Sequence, residues 1–253
     1  MKFFIKLIII VLLSYNVFAR EKGEIEITTD DGVEVFQNDK FYLLKKNVKI
    51  KSDTFSLNAD NVRINFNKNL YDITELNAEG NVNFESSEFQ IKGSGKFLVF
   101  EIQIEKIKVK GENSELIAED ISMFSDGTIE VNNLSGDFSL DGINSKLISE
   151  NLIIKGKSID GIFSKNLNGK EITFLEVIDD NLSYVKNRDT EMYAEKINFN
   201  NETSMIELVE NVSIIRNEEK ITGDYGTLDT KNNSYKIKSN NNTKVKVIIQ
   251  SDD

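Results

Sequence analysis

The side chains that carry most enzymatic chemistry are missing from this sequence. It has no His and no Cys. That removes the commonest general base, the thiolate nucleophile and the usual zinc and copper ligands. Carboxylates remain. Glu119-Asp120 and Asp179-Asp180 are acid pairs of the type a glycosidase sets across a cleft, but acids at strand edges and turns are ordinarily solvated. Asp30-Asp31 and Asp252-Asp253 could touch calcium, yet neither has the spacing of a calcium loop. No glycine-rich phosphate cradle is present. Triplets such as Asn201-Glu202-Thr203 follow from an Asn-rich composition. The expectation is a protein that is not an enzyme and uses neither metal nor cofactor.

The informative chemistry is apolar. Val62, Ile64 and Phe66 alternate with Asn61, Arg63 and Asn65. A period of two places one row on each face of a strand. The unit Ala59-Asp60, strand, polar turn, Leu70 to Ile73, then Glu79-Gly80-Asn81-Val82-Asn83-Phe84 returns in shortened form. Its second copy runs from Ala194-Glu195 through Ile197 and Phe199 to Glu210-Asn211-Val212. Weaker echoes place a small residue at 59, 93, 118, 149, 194 and 223. A loose period of about thirty residues marks stacked copies that share a core. The row Val62, Ile64, Phe66, Val82, Phe84, Ile197, Phe199 and Val212 then either fills that core or lines a groove for acyl chains.

The elements that position this row read as strands throughout. Ile25 and Ile27 alternate, and so do Val33 and Val35, Phe41 and Leu43, and Val48 and Ile50. A slip of phase at Glu105-Lys106 predicts a turn or bulge. Asp126-Gly127, Asp141-Gly142, Asp160-Gly161 and Asn168-Gly169 predict hairpins. The polar interval Asp179 to Thr190 predicts a longer loop within one continuous fold. Pro is absent, which permits long unbroken ladders. At the usual strand length the chain holds roughly 16 to 18 strands, an all-β fold.

Met1 to Ala19 reads as a signal peptide. Lys2 and Lys6 precede the apolar run Leu7 to Leu13, and Val17-Phe18-Ala19 is a cleavage-like site. The run is short for a membrane span. Residues 20–253 are then a single exported domain without disulfides or a lipid-bearing Cys. The formal net charge is −11, and it falls further once Lys2 and Lys6 are removed. That disfavours nucleic acid as a partner, which calls for a basic surface.

The repeat from Ala59 to Val82, with its copy from Ala194 to Ile214 and Ile221-Thr222-Gly223-Asp224, resembles the OstA-like (LptA-like) periplasmic lipopolysaccharide-transport family. The resemblance implies an open β-jelly-roll of antiparallel strands, V-shaped in section. Its apolar interior would carry the acyl chains of lipid A through the periplasm. It also implies end-to-end assembly, head to tail with itself and with inner-membrane anchored and outer-membrane components of the machinery. The edge residues for that assembly are Ile25, Ile27, Val245, Val247 and Ile249. Alternatives are a membrane-anchored LptC-like partner of the same system, an exported β-solenoid for structure or adhesion, and a carbohydrate-active enzyme.

Overall fold

The computed structural model describes residues 22–69, 71–150, 152–166, 169–240 and 244–249. The expected signal segment, Leu70, Asn168 and Asp252-Asp253 lie outside them. Among the described residues there are eighteen strands and no α-helix. The first six strands are Glu26–Thr28 (β1), Val33–Phe36 (β2), Phe41–Lys51 (β3), Phe55–Phe66 (β4), Ile73–Ser86 (β5) and Ile91–Glu101 (β6). A single 3-10 turn, Ile102–Ile104, follows and ends at Glu105 in the left-handed region, where the phase slip predicted a turn. Four short strands occupy the middle: Lys106–Lys110 (β7), Ser114–Ala118 (β8), Ile121–Ser125 (β9) and Thr128–Asn132 (β10). Then come Asp137–Ser149 (β11), Leu152–Asn166 (β12), Gly169–Asn187 (β13), Thr190–Asn200 (β14), Met205–Arg216 (β15) and Glu219–Asp229 (β16). Ser234–Lys238 (β17) and Lys246–Ile249 (β18) close the chain.

All of these strands join one antiparallel sheet in which chain order is nearly spatial order. The long strands bend once. Their registers break at Lys45/Val48, Asn58/Asn61, Glu79/Val82, Asp141/Ser145, Lys155/Ser158, Ile178/Ser183, Tyr193/Lys196 and Val209/Val212. Neighbouring breaks abut, so they form one crease across the sheet. The crease divides it into two leaves. The first leaf holds β1, β8, β9, β18 and the halves of the long strands that pair with them. The second holds β2, β7, β10, β17 and the other halves. Period-two alternation turns one row of each leaf inward, and those rows form one continuous apolar core.

The crease explains the repeated motif. In Lys46-Asn47-Val48, Gly80-Asn81-Val82 and Glu210-Asn211-Val212, the first two residues have positive φ and the third is buried. Two left-handed residues in succession re-aim the strand, and the Val that follows re-enters the core. The Asn also reaches back one strand to an acid. Asn47 Nδ2 donates to Asp30 at 2.5 Å, Asn81 to Asp60 at 2.9 Å, Asn144 to Asp126 at 2.5 Å and Asn211 to Glu195 at 2.5 Å. Between β12 and β13 an ion pair takes the same place, Lys157 Nζ to Asp180 at 2.6 Å. Beneath this line, buried serines capture carbonyls freed by the bend. Ser114 donates to the Gly111 carbonyl at 2.7 Å and Ser183 to the Glu195 carbonyl at 3.1 Å. The small residues 59, 194 and 223 sit at this crease and 93 sits two residues short of one, whereas 118 and 149 end strands at the opposite rim.

The crease also corrects several turn expectations. Asp126-Gly127 crosses between leaves, because β9 and β10 pair with other strands and not with each other. Asp141-Gly142 is a bulge inside β11. Asp160-Gly161 lies within β12 and turns nothing; a Cβ on Gly161 would strike the ring of Phe138. Asn168-Gly169 stands at the β12–β13 hairpin, although Asn168 itself lies outside the described residues. The loop expected over Asp179 to Thr190 is mostly strand. Asp179 to Asn181 form the crease of β13, where both faces are wet, and the Asn181 N–H donates to the Asp179 side chain at 2.9 Å.

These bends set unequal demands on the two copies of the motif. At Gly80 a Cβ would meet the Asp60 carboxylate in a backbone that already has φ +76°. At the matching Glu210 a full side chain is held at φ 64°, at a cost of about 1–2 kcal/mol. Gly80→Ala is therefore expected to lower stability to urea by more than 2 kcal/mol (roughly, from), while Glu210→Gly leaves it unchanged or raised. The Asn144 amide and the Asn113 N–H hold the Asp126 carboxyl below its ordinary range. Asn144→Ala should move that carboxyl up toward the ordinary value in an NMR titration.

Candidate functional site

The turns opposite the crease form two rims that face each other, and the space between them is the mouth of the sandwich. In the half containing β1 to β6 the mouth is plugged by aromatic rings. Phe55 and Phe89 from the first leaf meet Phe100 of the second, with ring centroids 6.4 and 5.4 Å apart. Beside them lies an apolar cavity of about 210 Å³, lined by Ile25, Ile27, Ile73 and Ile102 together with Phe55 and Phe89.

In the middle the rims are joined by charge. Glu119, in the left-handed turn between β8 and β9, approaches Lys165 of β12 at 3.4 Å. Lys170 at the start of β13 is buried. Its Nζ donates to Asn133 Oδ1 at 2.7 Å and lies 4.7 Å from the centre of the Phe163 ring. Asn133 in turn donates to Glu105 at 2.5 Å. Burial pushes the Lys170 ammonium below its ordinary value, and Glu119 pulls it back.

Past this polar bridge a second opening of about 380 Å³ lies between the rims of β11 to β16. Leu152, Ile172 and Phe199 supply its apolar surface, and Asp120, Glu150, Lys170 and Asn201 its lips. It carries more polar surface than the first opening, so the two mouths differ in chemistry.

The residues singled out from sequence share this interior but not one place in it. Val62, Ile64, Phe66, Val82 and Phe84 belong to β4 and β5. Ile197, Phe199 and Val212 belong to β14 and β15. The groups stand eight strands apart, about 38 Å at the ordinary strand spacing. All but Phe199 are buried, and Ile64 among them lines the apolar cavity beside the aromatic plug. Phe199 is half-buried and lines the second opening. Sequence reasoning missed Phe89, Phe100 and Ile102 as mouth residues. Their period-two spacing was visible, but only the crease tells which end of a strand reaches the rim. Lys170 gave no sequence signal at all.

The ends of the sandwich differ from the interior. β1 and β2 together form the first edge, each pairing with β3 alone. Ile27 lies in β1 and Ile25 just before it, and both pack on the core. The more exposed side chains of that edge are Val33, Val35 and Phe36 of β2. At the other edge Val247 and Ile249 lie in β18 and Val245 just before it, all exposed.

No curated protein matches this sequence. Residues 26–137 match the profile of the family described as LptA/(LptD N-terminal domain) LPS transport protein. Among solved structures, LptH from Pseudomonas aeruginosa is similar, described as the LptA-homologous periplasmic component of the lipopolysaccharide transport device. That likeness has a TM-score of 0.42 at 13% identity, covering 52% of this chain and 95% of the other.

Position at the mouth decides how a buried charge is tolerated. Phe66→Asp places a carboxylate in the closed core and is expected to cost several kcal/mol, enough to unfold the protein. Phe199→Asp places it at an opening that water reaches, so the folded state should persist with less than half that loss. Denaturant midpoints of the two variants check this.

Proposed function

We propose that the protein takes part in lipopolysaccharide transport, on the match of residues 26–137 to the profile of the LptA/LptD N-terminal family. In this reading it is a non-enzymatic carrier that holds acyl chains between its leaves. The observation that carries the proposal is the apolar mouth in the matched half, where Phe55 and Phe89 stand over Phe100 beside a cavity open to the rim. Phe55 at the first residue of β4 and Phe89 in the turn before β6 stand at the rim, where their rings can swing aside without breaking the ladder behind them. An acyl chain would replace their contacts with contacts of the same kind, so apolar burial drives entry at about 0.8 kcal/mol per methylene.

The same reading places the protein in the periplasm, exported by the segment ending at Ala19. It joins β1 and β2 of one molecule to β17 and β18 of the next, or to the membrane components at either end. Edge strands with unpaired N–H and C=O groups recruit further strands. A first-edge-to-last-edge contact is heterologous and gives open chains. The exposed Val35, Phe36, Val247 and Ile249 at those edges support it.

Photo-crosslinking residues placed at Phe89 and Phe199 are expected to capture lipopolysaccharide, while the same residue at outward-facing Asn83 captures none. Equal capture at all three positions, or none at any, overturns the carrier reading. Val247→Pro removes a ladder donor from β18. It should abolish concentration-dependent chain growth in light scattering while the circular dichroism of the monomer is kept. Growth that survives this change, and survives deletion of Lys244 to Asp253, refutes the edge contact.

A further inference from the structure

The outer face of the first leaf carries a row that neither the interior nor the edges use. Following the registers across neighbouring strands, the row reads Phe124, Lys146, Lys155, Tyr184 and Tyr193. It crosses β9, β11, β12, β13 and β14, about 19 Å at the ordinary spacing. Each member alternates with a buried neighbour, Met123, Leu147, Ile154, Val185 and Met192, so the row points outward.

Lys146 and Lys155 are direct cross-strand partners. Like charges placed opposite each other are unfavourable. Neither ammonium has an ion pair among the described residues. On the second leaf the outward Lys45 and Lys196 each pair with a glutamate, and Lys106 and Lys108 share Glu130. The two lysines lean apart instead. Lys146 Nζ lies 5.8 Å from the centre of the Phe124 ring and Lys155 Nζ 5.3 Å from that of Tyr184. Tyr184 stacks at a tilt on Tyr193, 5.1 Å away. Two acids adjoin the row, and one of them, Glu191, bonds both Tyr184 and Tyr193. Glu115 is one strand beyond Phe124, and Glu191 is held by Lys186 at 3.1 Å and by the Tyr193 hydroxyl at 3.2 Å.

We propose that this row binds a phosphorylated saccharide, with the phosphate between Lys146 and Lys155 and sugar rings on Phe124 and on the Tyr184–Tyr193 pair. Two unmatched ammonium groups suit one group that carries close to two negative charges. Flat aromatic faces on both sides suit the C–H faces of pyranose rings. A peptide strand is disfavoured, because every backbone group here is committed to the ladder and no edge is free. A bilayer is disfavoured too, since the three rings are half-buried, whereas a membrane-surface element needs a broad apolar face to insert. In a protein of net charge −11 the patch is a local exception that would orient an anionic ligand toward this face.

The test uses the full chain and a phosphomannan oligosaccharide, titrated by calorimetry beside the same oligosaccharide after phosphatase treatment. The phosphorylated form is expected to bind at least about tenfold more tightly, and Lys146→Gln with Lys155→Gln to remove that advantage. Tyr184→Leu should weaken the phosphorylated oligosaccharide while leaving inorganic phosphate unchanged. The lysine variants should unfold at the same temperature as the parent or higher, since a repulsion is relieved. Equal binding of the dephosphorylated sugar, binding indifferent to the two lysines, or inorganic phosphate bound as tightly as the saccharide overturns the proposal. So does preferential binding to phosphatidylglycerol vesicles. The row lies across the sheet from the mouth, so crosslinking at Phe89 and Phe199 reports on the carrier reading separately.

Discussion

The structure depends on a bend that each long strand must make at the same level. A flat antiparallel sheet of this length would leave one apolar face in water. Creasing it turns that face on itself and lets a single period-two pattern build a closed core. The bend has a local cost, because non-glycine residues such as Lys46, Asn47, Glu210 and Asn211 adopt left-handed backbone. The burial of Val48, Val82 and Val212 immediately after it offsets that cost. The Asn-to-acid bonds fix adjacent strands at the same height, and buried serines bond carbonyls that the ladder abandons.

Much of this was legible in the sequence. The alternation at Val62, Ile64 and Phe66 gave the strands and their inward row, and the paired copies at 59–84 and 194–214 gave the repeat. The Asn in each copy read only as one position of the repeated unit. Its hydrogen bond to Asp60 or Glu195 joins residues 16 to 21 positions apart, a tertiary fact that no local pattern announces. Asp-Gly dipeptides misled for a related reason. A glycine serves a hairpin, a bulge or a close ring approach equally well, and at Gly161 the approach of Phe138 decides. The polar stretch at Asp179 misled because a crease exposes both faces of a strand, which in sequence looks like a loop.

Function divides along the same line. The interior row was visible as apolar residues, but sequence could not separate those that close the core from those that reach a rim. Phe66 and Phe199 occupy the same place in the motif and differ in exposure: Phe66 is buried with the Tyr42 ring 5.1 Å away, whereas Phe199 lines the second opening. The family match over residues 26–137 and the aromatic plug fall in the same half of the chain. The lysine pair on the outer face was unreadable beforehand, since Lys146 and Lys155 become neighbours only through the register of β11 with β12.

The nearly sequential order of strands has a consequence for how the molecule comes apart. Beyond the middle each strand pairs only with its chain neighbours, except that β18 reaches past β17 to β16, so the sheet behaves as a one-dimensional array in which each hairpin is stabilised by the one before and the one after. Contacts of this kind are local, and they favour rapid assembly by zippering from any nucleus along the array. Opening then proceeds from the terminal strands inward. Amide protons of β2 and β18 would exchange with solvent by fraying, while those of β11 and β12 would wait for much larger unfolding events.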